Sequence, residues 1–125
     1  MRIATWNVNS IRARLPRLNE WLEIAQPDVL CLQEIKCATE GFPGEHAEEL
    51  GYEIAAHGEG RWNGVAILSR VGIDNVTRDF PGQPAYAPPP DEDDAALIGT
   101  PPKVEARAVG ATCGGVRVWS LYVPN

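Results

Sequence analysis

Few side chains in this sequence have both the type and the position to do chemistry, and Glu34 is the first of them. Val29 to Leu32 is an apolar run without alternation, the pattern of a strand buried on both faces, and it passes into Gln33, Glu34 and Lys36. Asn7 stands at the matching place after an earlier strand-like segment. Magnesium takes one or two carboxylates and completes its octahedron with waters and phosphate oxygens, so Glu34, the Asn7 amide and a phosphodiester form a sensible minimal set. The ion would then serve as Lewis acid and as template for in-line attack on phosphorus. A glutamate that closes a strand is more commonly a cap or an ion-pair partner, and only its company raises Glu34 above that reading.

Other motifs fail. Gly58, Gly60 and Gly64 are spaced one residue off the dinucleotide fingerprint, and a strand follows them where a helix is required. Neither a Walker-type phosphate loop nor a nucleophile elbow occurs. His46 and His57 share no spacing with a partner set and read as solvated loop or helix residues. Cys31, Cys37 and Cys113 are odd in number and form no C-x-x-C pair, which argues against a disulfide framework or a zinc site and for a reducing compartment.

The elements that would position Asn7 and Glu34 follow from periodicity. Arg2 to Val8 alternates as a strand, with Ile3 and Thr5 on one face and Ala4, Trp6 and Val8 on the other. Leu15, Leu18, Trp21, Leu22 and Ala25 mark one face of a helix that tolerates Pro16 in its first turn and stops at Pro27. Asp28 to Gln33 follows as a second strand, so a parallel βαβ unit is expected, with functional groups gathered beyond the strands' carboxyl ends. Asn7 and Glu34 would then project into one cleft. Further on, the sequence predicts a short helix over Glu45 to Leu50 and strands over Tyr52 to Ala56 and Val65 to Ser69. A hairpin of Val104 to Cys113 and Val116 to Val123 turns at Gly114-Gly115. Its last strand presents Val116, Val118, Ser120 and Tyr122 on one face. Residues 81–102 hold seven of the eleven prolines and the run Asp91-Glu92-Asp93-Asp94, and read as a surface loop within one domain.

The net charge of −6 excludes a protein that coats nucleic acid by charge alone. Arg2, Arg12, Arg14 and Arg17 nevertheless precede the first acidic residue, Glu20, so a local basic surface near the N-terminus is expected. Met1 to Thr5 lacks a signal-like apolar core, and no apolar run approaches the ~20 residues that cross a bilayer. A cytoplasmic protein with no membrane association is the expectation.

Five colinear segments carry a resemblance: ATWNVNSIRAR (4–14), PDVLCLQEIK (27–36), WNGVAILSR (62–70), VEARAVGAT (104–112) and VRVWSLYVPN (116–125). Together they are similar to the N-terminal half of the bacterial exonuclease III family, the abasic-site branch of the endonuclease/exonuclease/phosphatase superfamily. That resemblance implies an α/β fold, the first half of a four-layer α/β/β/α sandwich, with residues 1–125 as the N-terminal half of one domain. It implies Glu34 as a magnesium ligand, with manganese as a substitute, and Asn7 as a ligand of the metal or the scissile phosphate. Tyr122, in LYVPN, would contact the phosphate in catalysis, and Arg12 and Lys36 would contact DNA phosphates.

Duplex DNA with abasic sites or 3′ ends is the implied partner, and the complete protein would be a monomer. The family's D-x-N pair, a further aspartate and its Asp-His dyad have no counterpart in this sequence. The resemblance therefore implies a fragment of a repair phosphodiesterase that is inactive alone and partnered by the C-terminal half. Its alternatives are a half-domain that binds a partner or DNA without cutting, or another phosphoesterase of the superfamily. Without a second sheet, the first sheet's inner face is expected to be left to water, favouring self-association.

Overall fold

Ser10 decides where the first helix begins. Its hydroxyl accepts the Ala13 N–H as an N-cap, so α1 runs Ile11–Ala25, starting a turn earlier than the periodicity from Leu15 suggests. Pro16 consequently lies in the second turn. Gln26 closes the helix in a left-handed conformation, its N–H on the Leu22 carbonyl. These features come from a computed structural model that describes residues 1–86 and 101–124. Most of the proline-rich segment, with its acidic run, lies outside the described residues.

β1 (Ile3–Asn7) and β2 (Val29–Gln33) flank α1 and pair in parallel, with Asn7 opposite Gln33. A 3₁₀ turn at Thr39–Gly41 and the short α2 (Glu45–Glu49) lead to β3 (Glu53–His57) and β4 (Val65–Ser69), which complete a sheet ordered β1-β2-β4-β3. β5 (Asp74–Arg78), β6 (Ala108–Cys113) and β7 (Val116–Leu121) form a second, antiparallel sheet. β5 escapes periodicity because Asp74, Asn75, Thr77 and Arg78 surround one valine and the whole strand is exposed. Val104 to Arg107, expected to be strand, is an irregular approach to β6.

The two sheets stack face to face, and this corrects the expectation of a bare inner face. Val29, Cys31, Ala55, Val65 and Ile67 of the first sheet meet Val109, Ala111, Cys113 and Val118 of the second. A separate core lies on the first sheet's other face, where Leu30, Leu32, Ala66 and Leu68 pack under Ile11, Leu18 and Leu22 of α1. Three layers are thus present: helices, sheet, sheet. The correction is complete over β2, β3 and β4. β1 lies outside that contact, with Ile3 half exposed and Thr5 and Asn7 exposed. Among the described residues no helix is long and apolar enough to cross a membrane.

Candidate functional site

The register sets the site. Because β4 runs antiparallel to β2, and β3 to β4, the carboxyl ends of β1 and β2 share an edge with the loop Gly58–Gly64. The carboxyl end of β7 lies over the same edge, and there the sheets exchange a bond: the Tyr122 hydroxyl donates to Glu34 Oε1 at 2.8 Å. Burial, and then that bond to the carboxylate, pushes the Tyr122 phenol's pKa up, so it stays protonated as a hydrogen-bond donor at neutral pH. Residues 88 positions apart in sequence thus meet, and Asn7, opposite Gln33 in the register, ends the neighbouring strand.

Asn7 is oriented by its own loop. Its Oδ1 accepts the Asn9 N–H at 3.1 Å and keeps one lone pair, and among the described residues the amide's two N–H donors meet no acceptor. Lys36 points back across the same loop, its Nζ 2.5 Å from Asn9 Oδ1. Arg12, in the first turn of α1, donates to the Gly41 carbonyl at 3.1 Å while remaining exposed. Both cations border the edge that carries Asn7 and Glu34.

Sequence reasoning overlooked a second row of polar groups. Arg107 stacks 3.8 Å from the Tyr86 ring centroid and 5.8 Å from that of Tyr122, and pairs with Glu105 at 3.2 Å. Glu105 also accepts from the Asn63 amide, and the Arg107 carbonyl accepts the Tyr122 N–H at 2.8 Å. The signal was available: these residues lie in two of the segments that carry the resemblance, but no spacing linked them to Glu34. His57, read as solvated, instead pairs with Asp79 across the sheets at 3.1 Å. His46 sits against Glu23 of α1.

As a cation site the donors are hard oxygens, which suits magnesium or manganese and not zinc. Glu34 retains Oε2 and spare lone pairs beyond its bond to Tyr122. No cluster of three or more His, Cys, Asp or Glu side chains is present among the described residues, so the fit is to one protein carboxylate with water and substrate oxygens around it.

A helix-backed pair of face-to-face sheets carries a bonded carboxylate and tyrosine, with an asparagine at the neighbouring strand end, on one shared edge. Residues 4–121 match the model of the Endonuclease/Exonuclease/phosphatase family, and the chain belongs to that family. It is 43% identical over 81 residues to exodeoxyribonuclease III of Haemophilus influenzae, an alignment covering 65% of this chain and 30% of that protein. Among solved structures, an AP endonuclease from Archaeoglobus fulgidus superposes with TM-score 0.79 at 34% identity, covering 99% of this chain and 41% of that one. A Neisseria 3′ phosphatase bound to a product DNA hairpin gives 0.76 at 35% identity, covering 98% and 41%. The chain therefore spans less than half the length of these relatives.

Proposed function

We propose that this chain supplies the amino-terminal part of the active site of a magnesium-dependent DNA-repair phosphodiesterase, acting on abasic sites and 3′ ends in duplex DNA. The observation that carries this is the 2.8 Å bond between Tyr122 and Glu34 across the two sheets, at the edge where β1 ends on Asn7. In this reading Glu34 would hold the divalent cation, which supplies Lewis-acid polarisation of the phosphate when bound. Asn7 donates to a phosphate oxygen and orients it. Tyr122, kept protonated, fixes the carboxylate and offers its hydroxyl to a phosphate oxygen as negative charge builds there. Lys36 and Arg12 contact neighbouring DNA phosphates, giving position without sequence preference.

Hydrolysis also needs a base for the attacking water. The one His–Asp pair among the described residues joins β3 to the residue after β5, and the polar groups around Glu34 include no histidine. Loss of part of a cooperating catalytic set costs orders of magnitude in rate, so the 125-residue chain alone is expected to be nearly inactive. The test is incision of a labelled duplex bearing one abasic site, with and without a chelator. It compares the chain alone, the chain supplemented with the carboxyl-terminal part of a relative, and the supplemented Glu34→Ala variant. Chelator-sensitive cleavage that requires both the supplement and Glu34 supports the reading. Equal cleavage by Glu34→Ala removes Glu34 from the site, and DNA binding without cleavage under every condition favours a non-catalytic half-domain.

A further inference from the structure

The gap between the sheets is almost wholly apolar. Among the described residues the fully buried polar side chains are Ser69 and Ser120. Ser69 serves a local turn, donating to the Gly72 carbonyl at 2.8 Å and accepting from Val71 N–H. Ser120 serves no turn. Its hydroxyl crosses the gap to donate to the Leu32 carbonyl at 2.8 Å and accepts from Gln33 Nε2 at 3.1 Å. Gln33 Nε2 donates in addition to Thr5 Oγ1 at 3.0 Å, so β1, β2 and β7 are stitched together at one level.

We propose that Ser120 and Gln33 are positioning residues for the Glu34–Tyr122 pair, locking β7 against β2 in the offset that brings the phenol to the carboxylate. The proposal rests on the reading of that pair as a phosphate site. Gln33 precedes Glu34 by one residue, and Ser120 precedes Tyr122 by two on the same strand face, so a bond between the first two fixes the separation of the second. Other polar links between the sheets join β3 and the β3–β4 loop to β5, to the residue after it and to the segment before β6. Between β2 and β7, the described polar links are those of Ser120 and the Glu34–Tyr122 bond itself. Apolar contact between sheets is non-directional and tolerates sliding, whereas a pair of buried hydrogen bonds does not. Packing alone would be served by alanine at position 120.

The experiment reads the tyrosine and not the nuclease. The chain is prepared with 3-fluorotyrosine at Tyr52, Tyr86 and Tyr122, and the fluorine NMR shift of each is read at neutral pH, with Tyr122→Phe assigning the site signal. Tyr52 is the internal control for folding, because its hydroxyl is held at the far end of the first sheet by the Pro27 carbonyl, 2.6 Å away. In Ser120→Ala the Tyr122 signal should move toward its position in Glu34→Ala, where the cross-sheet bond is absent, while Tyr52 stays where it is. Ser120→Thr, which keeps a hydroxyl, should retain the parent signal. If Ser120→Ala unfolds the chain, Tyr52 moves as well, and Gln33→Met, which spares the Ser120–Leu32 bond, carries the same expectation. An unmoved Tyr122 signal in a folded Ser120→Ala or Gln33→Met chain overturns the proposal. In an active, completed protein Ser120→Ala should lower kcat by about 10- to 100-fold with KM nearly unchanged. A normal rate in Tyr122→Phe would sink the functional reading and leave the positioning result standing.

Discussion

Raising the pH should unfold this protein in a way that reports directly on the gap between its sheets. Cys31 lies in that gap, 5% exposed, with Cys113 also buried there. Burial, and then the neighbouring Cys113, pushes its pKa from 9.0 up to about 11. A thiol whose folded pKa exceeds its unfolded one is neutral in both states below about pH 9. Above that the unfolded chain releases its proton first, so stability falls until the folded thiol ionises as well. At about 1.4 kcal/mol per pH unit the full loss is about 3 kcal/mol, and about 2 kcal/mol of it is reached by about pH 10.5. The assay is urea unfolding followed by tryptophan fluorescence at about pH 8 and about pH 10.5, for the parent and for Cys31→Ala. The cavity left by alanine costs the same at both pH values, so the difference between the two chains' pH responses isolates the thiol. The parent should lose about 2 kcal/mol more than the variant. Equal losses would mean that the gap is wet around Cys31 and that the two sheets do not close as described.

Three further perturbations test packing and the charged rim. A Cβ on Gly110 would lie 2.7 Å from the Trp119 ring, so Gly110→Ala should cost about 1–3 kcal/mol in urea unfolding, and an unchanged midpoint would contradict the close approach of β6 to that ring. Leu30 is fully buried beneath α1, and Leu30→Ala should cost about 2–5 kcal/mol; a loss below about 1 kcal/mol would place the helix off the sheet. Lys36→Met and Arg12→Met should each weaken duplex binding uniformly across sequences and reduce the slope of log affinity against log salt by about one. A variant with the parent slope contacts no phosphate.

Elements whose apolar pattern repeats were legible in the sequence, and elements fixed by long-range partners were not. The parallel β1–α1–β2 unit follows from Trp6, Val8, Leu18 and Leu22 on one side and an uninterrupted Val29–Leu32 run on the other. β5 was invisible because its ladder to β6 is bought with backbone bonds around polar, exposed side chains. The covered inner face was misjudged even though the β6–β7 hairpin was legible at Gly114-Gly115, because the docking of that hairpin across the gap onto β2, β3 and β4 leaves no periodic trace. At the site, strand ends brought Asn7 and Glu34 together on local grounds. Glu105, Arg107 and Asn63 join it only through folding, and nothing in their spacing anticipates it.

The backbone at Glu34 carries the last test. Glu34 and Lys36 have φ of +54° and +53°, a left-handed conformation that costs most non-glycine residues about 1–2 kcal/mol. Asn9 and Asn63 share it nearby, but asparagine tolerates it. The conformation at Glu34 is over-determined by its neighbours: Ser10 N–H binds the Glu34 carbonyl at 2.8 Å, and Ile35 and Lys36 N–H bind Gly64 and Asn63 carbonyls at 3.2 and 3.0 Å. Such a strained turn aims the carboxylate at Tyr122 instead of letting β2 run on. Glu34→Ala and Glu34→Gly both delete the carboxylate and its bond, so comparing them isolates the backbone. In an ordinary strand or loop the glycine variant would be the less stable by about 0.5–1 kcal/mol. Here the order should reverse, with Glu34→Gly the more stable by about 1 kcal/mol in urea unfolding, because glycine reaches positive φ without a Cβ penalty. If alanine proves the more stable, Glu34 does not occupy the left-handed turn, and the geometry that presents it to Tyr122 is wrong.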